Sequence, residues 1–265
     1  MPFVETNGIR MHYQTRGSGD PLILIMGLSA DGPVWDLHAQ AWEKHFTCYL
    51  IDNRGVGRSD SPPGPYSSGQ MADDVAGLMD EIGIPQARVA GLSMGGVIAQ
   101  QLALRHPGKV RSQILAATWA RSEEFTKDVT RMFVKARAAL PFDEFLALLH
   151  LWIFTPGHYN RHLADLKQGR KDALGYAYPQ SQQGFAGQAQ ACIDHDTSAL
   201  LGGIKQPTLI TAGTQDIWIP FAYARELHAG IRGSELLAFE NFGHTHHWED
   251  LEKFNLETTR WLLAH

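Results

Sequence analysis

Seven short apolar runs punctuate the chain: Met11 to Thr15, Leu22 to Met26, Phe46 to Ile51, Arg88 to Leu92, Val110 to Ala116, Thr208 to Ala212 and Glu235 to Phe239. Their length and mostly apolar character predict strands, several of them buried on both faces. Between most of them the period changes. Met71 to Ile82 sets Val75, Leu78, Met79 and Ile82 at helical spacing, and Val97 to Leu104 does the same with Val97, Ile98, Gln101 and Leu104. Strand and helix in alternation predict parallel strands joined by crossover helices, with both sheet faces covered.

The alternation stops between about Arg121 and Gly203. That stretch reads as helical, most clearly over Phe125 to Leu140 and Phe142 to Phe154, and Pro207-Thr208-Leu209-Ile210 then resumes the strand pattern. Because strands flank it on both sides, the simplest reading is an insertion into one sheet. The expected division is a core of residues 1–120 and 204–265, with a helical cap of residues 121–203 over the sheet edge.

Composition adds limits. The chain has 265 residues, 44% hydrophobic and 19% charged, enough for a full core and ordinary for a globular protein. Lys plus Arg is 23 against 28 Asp plus Glu, a net charge of −5, and the basic residues are scattered. Neither a nucleic-acid partner nor a membrane surface is expected. Leu22 to Leu28 is too short to span a bilayer, and Met1 to Glu5 lacks the pattern of a secretory signal. With Cys48 and Cys192 as the only cysteines, the expectation is a reduced, cytoplasmic protein.

Sites in open parallel sheets form beyond the carboxyl ends of strands. Ser93 follows Arg88 to Leu92, Asp216 follows the run ending at Gly213, and His244 follows Glu235 to Phe239 by a short loop. Serine needs a neighbouring base to become a nucleophile, histidine titrates in the useful range, and aspartate fixes the imidazole tautomer. Each residue alone has a plainer reading. Gly91-Leu92-Ser93-Met94-Gly95 is also a glycine-rich turn with a serine N-cap, a role compatible with a nucleophile. Asp216 also suits a turn, and His244-Thr245-His246-His247 suggests a metal site, though no acidic or cysteine partner stands at ligand spacing.

The joint pattern resembles the α/β-hydrolase superfamily over nearly the whole chain, in the order Ser, Asp, His. The resemblance rests on LILIMGLSADGPVW, LIDNRGVGRSDSPPGPYS, MADDVAGLMDEIGI, VAGLSMGGVIAQQLALRHPGKV, PTLITAGTQDIWIP and FENFGHTHHWEDLEKFN. It implies a mostly parallel eight-stranded sheet flanked by helices, with a helical cap inserted after the sixth strand. It also implies Ser93, Asp216 and His244 as a triad, and the main-chain amides of Leu28 and Met94 as the oxyanion hole. Members usually carry His-Gly before the first of those amides; here Met26-Gly27 stands, so any ordering role of that histidine side chain is lost.

The branch that looks most similar contains 3-oxoadipate enol-lactonases, aminoacrylate hydrolases and related esterases. The expected activity is cofactor-free, metal-free hydrolysis of a small ester or lactone, with a homodimer as the assembly to look for. Serine at position 93 speaks against the aspartate nucleophile of haloalkane dehalogenases and epoxide hydrolases, and Leu28-Ser29-Ala30 against a lipase-type glycine loop. Perhydrolase or haloperoxidase-like chemistry, carbon–carbon bond hydrolysis and a small-molecule receptor are the alternatives. Trp119, Trp152 and Phe185 are expected to bind substrate, as is Phe154 as a further apolar wall. Arg121, Arg161 and His195 are candidates for a substrate carboxylate, and Arg54 and Arg58 brace their own loop.

Overall fold

Along the strand Asp20–Ile25 (β3), Leu22 and Leu24 enter one buried cluster while Ile23 and Ile25 enter another. That period of two is the pleat itself, and burial on both faces is why the run reads as continuously apolar. Each fully buried isoleucine contributes roughly 1.5–3 kcal/mol relative to an exposed one.

The computed structural model describes residues 2–265, Met1 lying outside them. Around β3 the strands are Phe3–Thr6 (β1), Ile9–Arg16 (β2), Phe46–Ile51 (β4), Ala87–Leu92 (β5), Val110–Ala116 (β6), Thr208–Gly213 (β7) and Glu235–Phe239 (β8). They form one eight-stranded sheet in the order β1-β2-β4-β3-β5-β6-β7-β8. β2 runs antiparallel to β1 and β4, and the pairs from β4 through β8 are parallel. This is the α/β-hydrolase fold. β1 is the strand that the apolar pattern does not reveal: at the sheet edge its Phe3 and Glu5 are exposed, Val4 is half-buried and Thr6 is buried.

Helices Ser68–Glu81 (α2), Met94–Arg105 (α3) and Phe221–Gly230 (α9) cover the face that holds Ile23 and Ile25. Helices Asp36–Trp42 (α1) and Leu251–Ala264 (α10) cover the other through Trp42, Phe254 and Leu262, with Trp35 of the preceding turn beside them. α2 begins before Met71 because Ser67 accepts a hydrogen bond from the Gln70 amide, a side-chain N-cap. No helix is long and apolar enough to cross a membrane, among the described residues.

Between β6 and β7 lie Glu124–Ala139 (α4), Phe142–Ile153 (α5), Pro156–Arg161 (α6), Leu163–Leu174 (α7) and Gln182–Ile193 (α8). A narrow neck joins them to the sheet: Arg121 bridges Asp196, the Ser122 amide donates to His195 O at 3.1 Å and Thr197 to Ala120 O at 2.8 Å. The turn Ser198–Gly203 already belongs with the sheet layer, since Leu201 is buried against Gly230 of α9.

Candidate active site

The chain turns sharply from β5 into α3. Ser93 sits at that turn with φ 53° and ψ −114°, a region that disfavours any side chain and costs on the order of 1–3 kcal/mol. The neighbours hold it there: its N–H donates to Ala116 O at 2.8 Å, and its carbonyl accepts from Thr118 Oγ1 at 2.8 Å and from the Gly96 amide at 2.9 Å. Glycine is required on either side because a Cβ on Gly91 would overlap Gly95 O, and one on Gly95 would overlap Ile25 O. The Ser93 side chain makes no capping bond to α3, so the combined cap-and-nucleophile reading fails. Its hydroxyl points elsewhere.

It points to His244. Ser93 Oγ lies 3.2 Å from His244 Nε2, and His244 Nδ1 lies 2.7 Å from Asp216 Oδ2. A carboxylate accepts, so Nδ1 carries the proton and Nε2 presents its lone pair to the hydroxyl. The other oxygen of Asp216 accepts from the amides of Trp218 at 2.9 Å and Ile219 at 2.8 Å, which fixes the carboxylate in its plane. Asp216 and His244 are both buried, whereas Ser93 is half-buried. Gly213 lets the aspartate and histidine loops meet, since a Cβ there would strike Phe242 O and Gly243 O.

The neighbouring histidines are built differently. His246 Nε2 meets Thr211 Oγ1 at 3.0 Å. His247 Nδ1 meets His38 Nε2 at 3.0 Å, and His38 Nδ1 meets Asn255 Oδ1 at 2.6 Å. Burial pushes His246 down to about 3 and His38 to about 4, and holds His247 well below the ordinary range. They form a neutral, buried layer behind His244. No three His, Cys, Asp or Glu side chains converge as a metal site among the described residues.

Gly27 packs against Ser93: a Cβ there would stand 3.2 Å from Ser93 Cβ and 3.8 Å from its Oγ. The Leu28 and Met94 amides thus flank Ser93 from the β3 loop and from the first turn of α3. Neither donates to another protein group among the described residues.

The aromatic candidates separate. Trp152 reaches the site through a ladder: it meets Phe133 edge-on at 6.0 Å, Phe133 meets Trp218 at 4.7 Å, and Trp218 covers His244 at 5.5 Å. Phe185 is buried edge-on to Phe145 at 5.5 Å, and Phe154 stacks on His158 at 5.0 Å, so neither has an aromatic contact with His244. Trp119 is buried below the cap, with its indole N–H lacking a protein partner. Trp218 and Phe133 escape a sequence reading. Trp218 lies within the quoted PTLITAGTQDIWIP, two residues after Asp216, but nothing local marks it as the cover of a histidine.

The carboxylate candidates do not converge. Arg121 pairs with Glu123 and Glu226, Arg161 ends α6 on the surface, and His195 is buried. His195 Nδ1 meets Ser68 Oγ at 2.9 Å and burial pushes it down to about 3, so it offers no cation. Arg54 holds buried Asp74 through two 2.6 Å hydrogen bonds, the bracing expected of it, and Arg58 lies over the Tyr178 ring. Cys48 and Cys192 are free and buried, each thiol pushed up to about 12 by burial.

Known proteins agree with this architecture. A family model for the alpha/beta hydrolase fold matches residues 20–251. The carbamate hydrolase-named RutD of Azorhizobium caulinodans is 27% identical over 87% of this chain and 86% of its own. 3-Oxoadipate enol-lactonase 2 of Acinetobacter baylyi is 30% identical over 78% of this chain and 76% of its own. The crystal structure of the enol-lactonase from Burkholderia xenovorans LB400 superposes with a TM-score of 0.90 at 28% identity, covering 99% of this chain and 100% of that one.

Proposed function

The chain belongs to the alpha/beta hydrolase family, and from that premise we propose that it is a serine hydrolase of small carboxylic esters or lactones. The observation that carries the reading is the continuous hydrogen-bonded line from Ser93 Oγ through His244 to Asp216. His244 Nε2 takes the hydroxyl proton as Ser93 Oγ attacks the substrate carbonyl. The Leu28 and Met94 amides receive the charge that develops on the carbonyl oxygen, in a place where they need not reorganise. His244 then returns the proton to the leaving alcohol. Water, deprotonated by the same imidazole, cleaves the acyl-enzyme and regenerates Ser93.

Asp216 stabilises the imidazolium in both halves without itself being protonated. The apolar ladder from Trp218 to Trp152 supports an uncharged acyl or ring substrate beside the site, and the buried Trp119 is assigned to the packing behind it, not to contact with substrate. Phe185 is assigned to supporting this wall. Two relatives named for enol-lactone hydrolysis favour lactones within the ester class. The buried, free cysteines support a cytoplasmic setting.

The test is hydrolysis of 4-nitrophenyl acetate and of a small enol-lactone by wild type and Ser93→Ala. Loss of about 10⁴-fold or more in kcat/KM, with an unchanged circular dichroism spectrum, is expected. Turnover by Ser93→Ala near the wild-type rate sinks the assignment.

A further inference from the structure

We infer that Glu249, which closes the helical turn after His244, is a positioning residue for the general base. The inference rests on the serine-hydrolase reading above. A ring held at one atom is not yet aimed. Asp216 fixes His244 Nδ1, but the imidazole can still swing about that hydrogen bond and carry Nε2 away from Ser93 Oγ. The backbone that bears the ring has to be fixed as well.

Glu249 holds that backbone on both sides of His244. Its Oε1 accepts from the Gly243 amide at 3.0 Å, immediately before the histidine. The same oxygen accepts at 3.3 Å from the hydroxyl of Thr245, immediately after it, whose proton is shared with Ile153 O at 2.9 Å. Ile153 O also holds the Thr245 amide, so Thr245 has a second anchor; the Gly243 amide has the carboxylate as its acceptor. The carboxylate is fixed in turn by the cap. Thr155 donates its amide to Oε1 at 3.4 Å and its hydroxyl to Oε2. That hydroxyl accepts from the His158 amide at 3.3 Å, which directs its own proton to the carboxylate. Thr155 and Thr245 are buried, so water is poorly placed to replace these bonds. The fit is close: a Cβ on Gly243 would stand 3.1 Å from Glu249 Oε1 and 3.0 Å from Ile153 O. A glutamate that merely ended a helical turn would need none of these donors.

The experiment compares wild type, Glu249→Met, Glu249→Gln and Thr155→Val in steady-state hydrolysis of 4-nitrophenyl acetate, with kcat referred to the folded fraction read by circular dichroism. Methionine keeps the length of the side chain and removes both acceptors. Misplacing a reacting group by about 1 Å costs on the order of 10²-fold, so kcat should fall roughly tenfold to 100-fold with KM nearly unchanged. Glutamine keeps an oxygen for the Gly243 amide and offers the Thr155 hydroxyl an NH₂ donor, so kcat should return to within about threefold of wild type. Thr155→Val frees the carboxylate from the cap and spares Glu249, which covers the case in which the methionine variant does not fold; a fall of about threefold to tenfold is expected. In a His244→Ala background, Glu249→Met should cost less than about twofold, because residues that act through one another are not additive. A merely structural glutamate would lower the melting temperature and leave these kinetic ratios alone. An unaltered kcat in Glu249→Met or in Thr155→Val, a loss in Glu249→Gln as large as in Glu249→Met, or an equal loss with and without His244 overturns the inference. Failure of the parent reading shows itself differently, as turnover in wild type that does not depend on Ser93.

Discussion

Replacing Ser93 with glycine should make the protein inactive and more stable at once. The serine occupies φ 53° and ψ −114°, where a Cβ costs about 1–3 kcal/mol. Its hydroxyl makes no capping bond to α3, so the roughly 1 kcal/mol that an N-cap serine usually contributes is absent. Alanine at this position keeps the strain. Glycine releases it and loses about 0.5–1 kcal/mol to the greater freedom of its unfolded chain. The difference between the two variants isolates the backbone term, about 1 kcal/mol in favour of glycine, taking the middle of the strain range.

In a domain of this size that difference corresponds to a melting point about 2–4 °C higher for Ser93→Gly than for Ser93→Ala. Differential scanning calorimetry of both at one scan rate, with urea denaturation as a second measure, reads it directly. If Ser93→Gly melts at or below Ser93→Ala, the strain is absent and the reasoning about this turn is wrong.

Two further outcomes follow from the same geometry. Asp216→Asn retains an oxygen for the Trp218 and Ile219 amides but presents an NH₂ group to His244, forcing the wrong tautomer; kcat should fall about 10⁴-fold with the fold intact, and a fall of less than about tenfold argues that His244 is not the base. The buried His38, His195 and His246 are held neutral when folded, at about 4, 3 and 3, yet protonate near their usual value once unfolded. The unfolded chain therefore binds more protons below about pH 6.5, and each such histidine removes up to about 1.4 kcal/mol of stability per pH unit on acidification towards pH 4. The urea midpoint should drop steeply between pH 6.5 and 5, less so in His195→Gln, and a flat midpoint would contradict the burial of these rings.

The sheet and the positions of Ser93, Asp216 and His244 beyond its strand ends were legible because their signals are local. Most of the parallel strands are buried and apolar throughout; Ser93 follows one directly, and Asp216 and His244 each follow one by a short loop. β1 was not legible, since four half-polar residues at an edge carry no burial pattern. Nor was the neck, where a backbone bridge between Arg121 and Asp196 returns the chain to the sheet layer before Gly203. Ser93 reads as an N-cap from its place before a helix, but the backbone rotation that aims its hydroxyl at His244 removes it from the α3 amides. Gln188 meets Ser29 across 159 positions of sequence, and Trp218 covers His244 by a fold that brings two loops together. Residues of this kind become visible only in three dimensions.

The narrow neck gives the cap the look of a part that could be exchanged. Arg121 and Asp196 lie side by side, so a foreign helical segment spliced between them would meet no difficulty of chain path. The splice would nevertheless remove more than a lid. Gln188 reaches the Ser29 amide, and Ile153 O accepts from both the amide and the hydroxyl of Thr245, next to His244. The loops that bear Ser29 and Thr245, beside Ser93 and His244, therefore take part of their shape from the inserted segment. Directed evolution that treats residues 121–196 as a specificity cassette will move turnover number and substrate range together, unless a graft brings its own acceptors for Ser29 and Thr245.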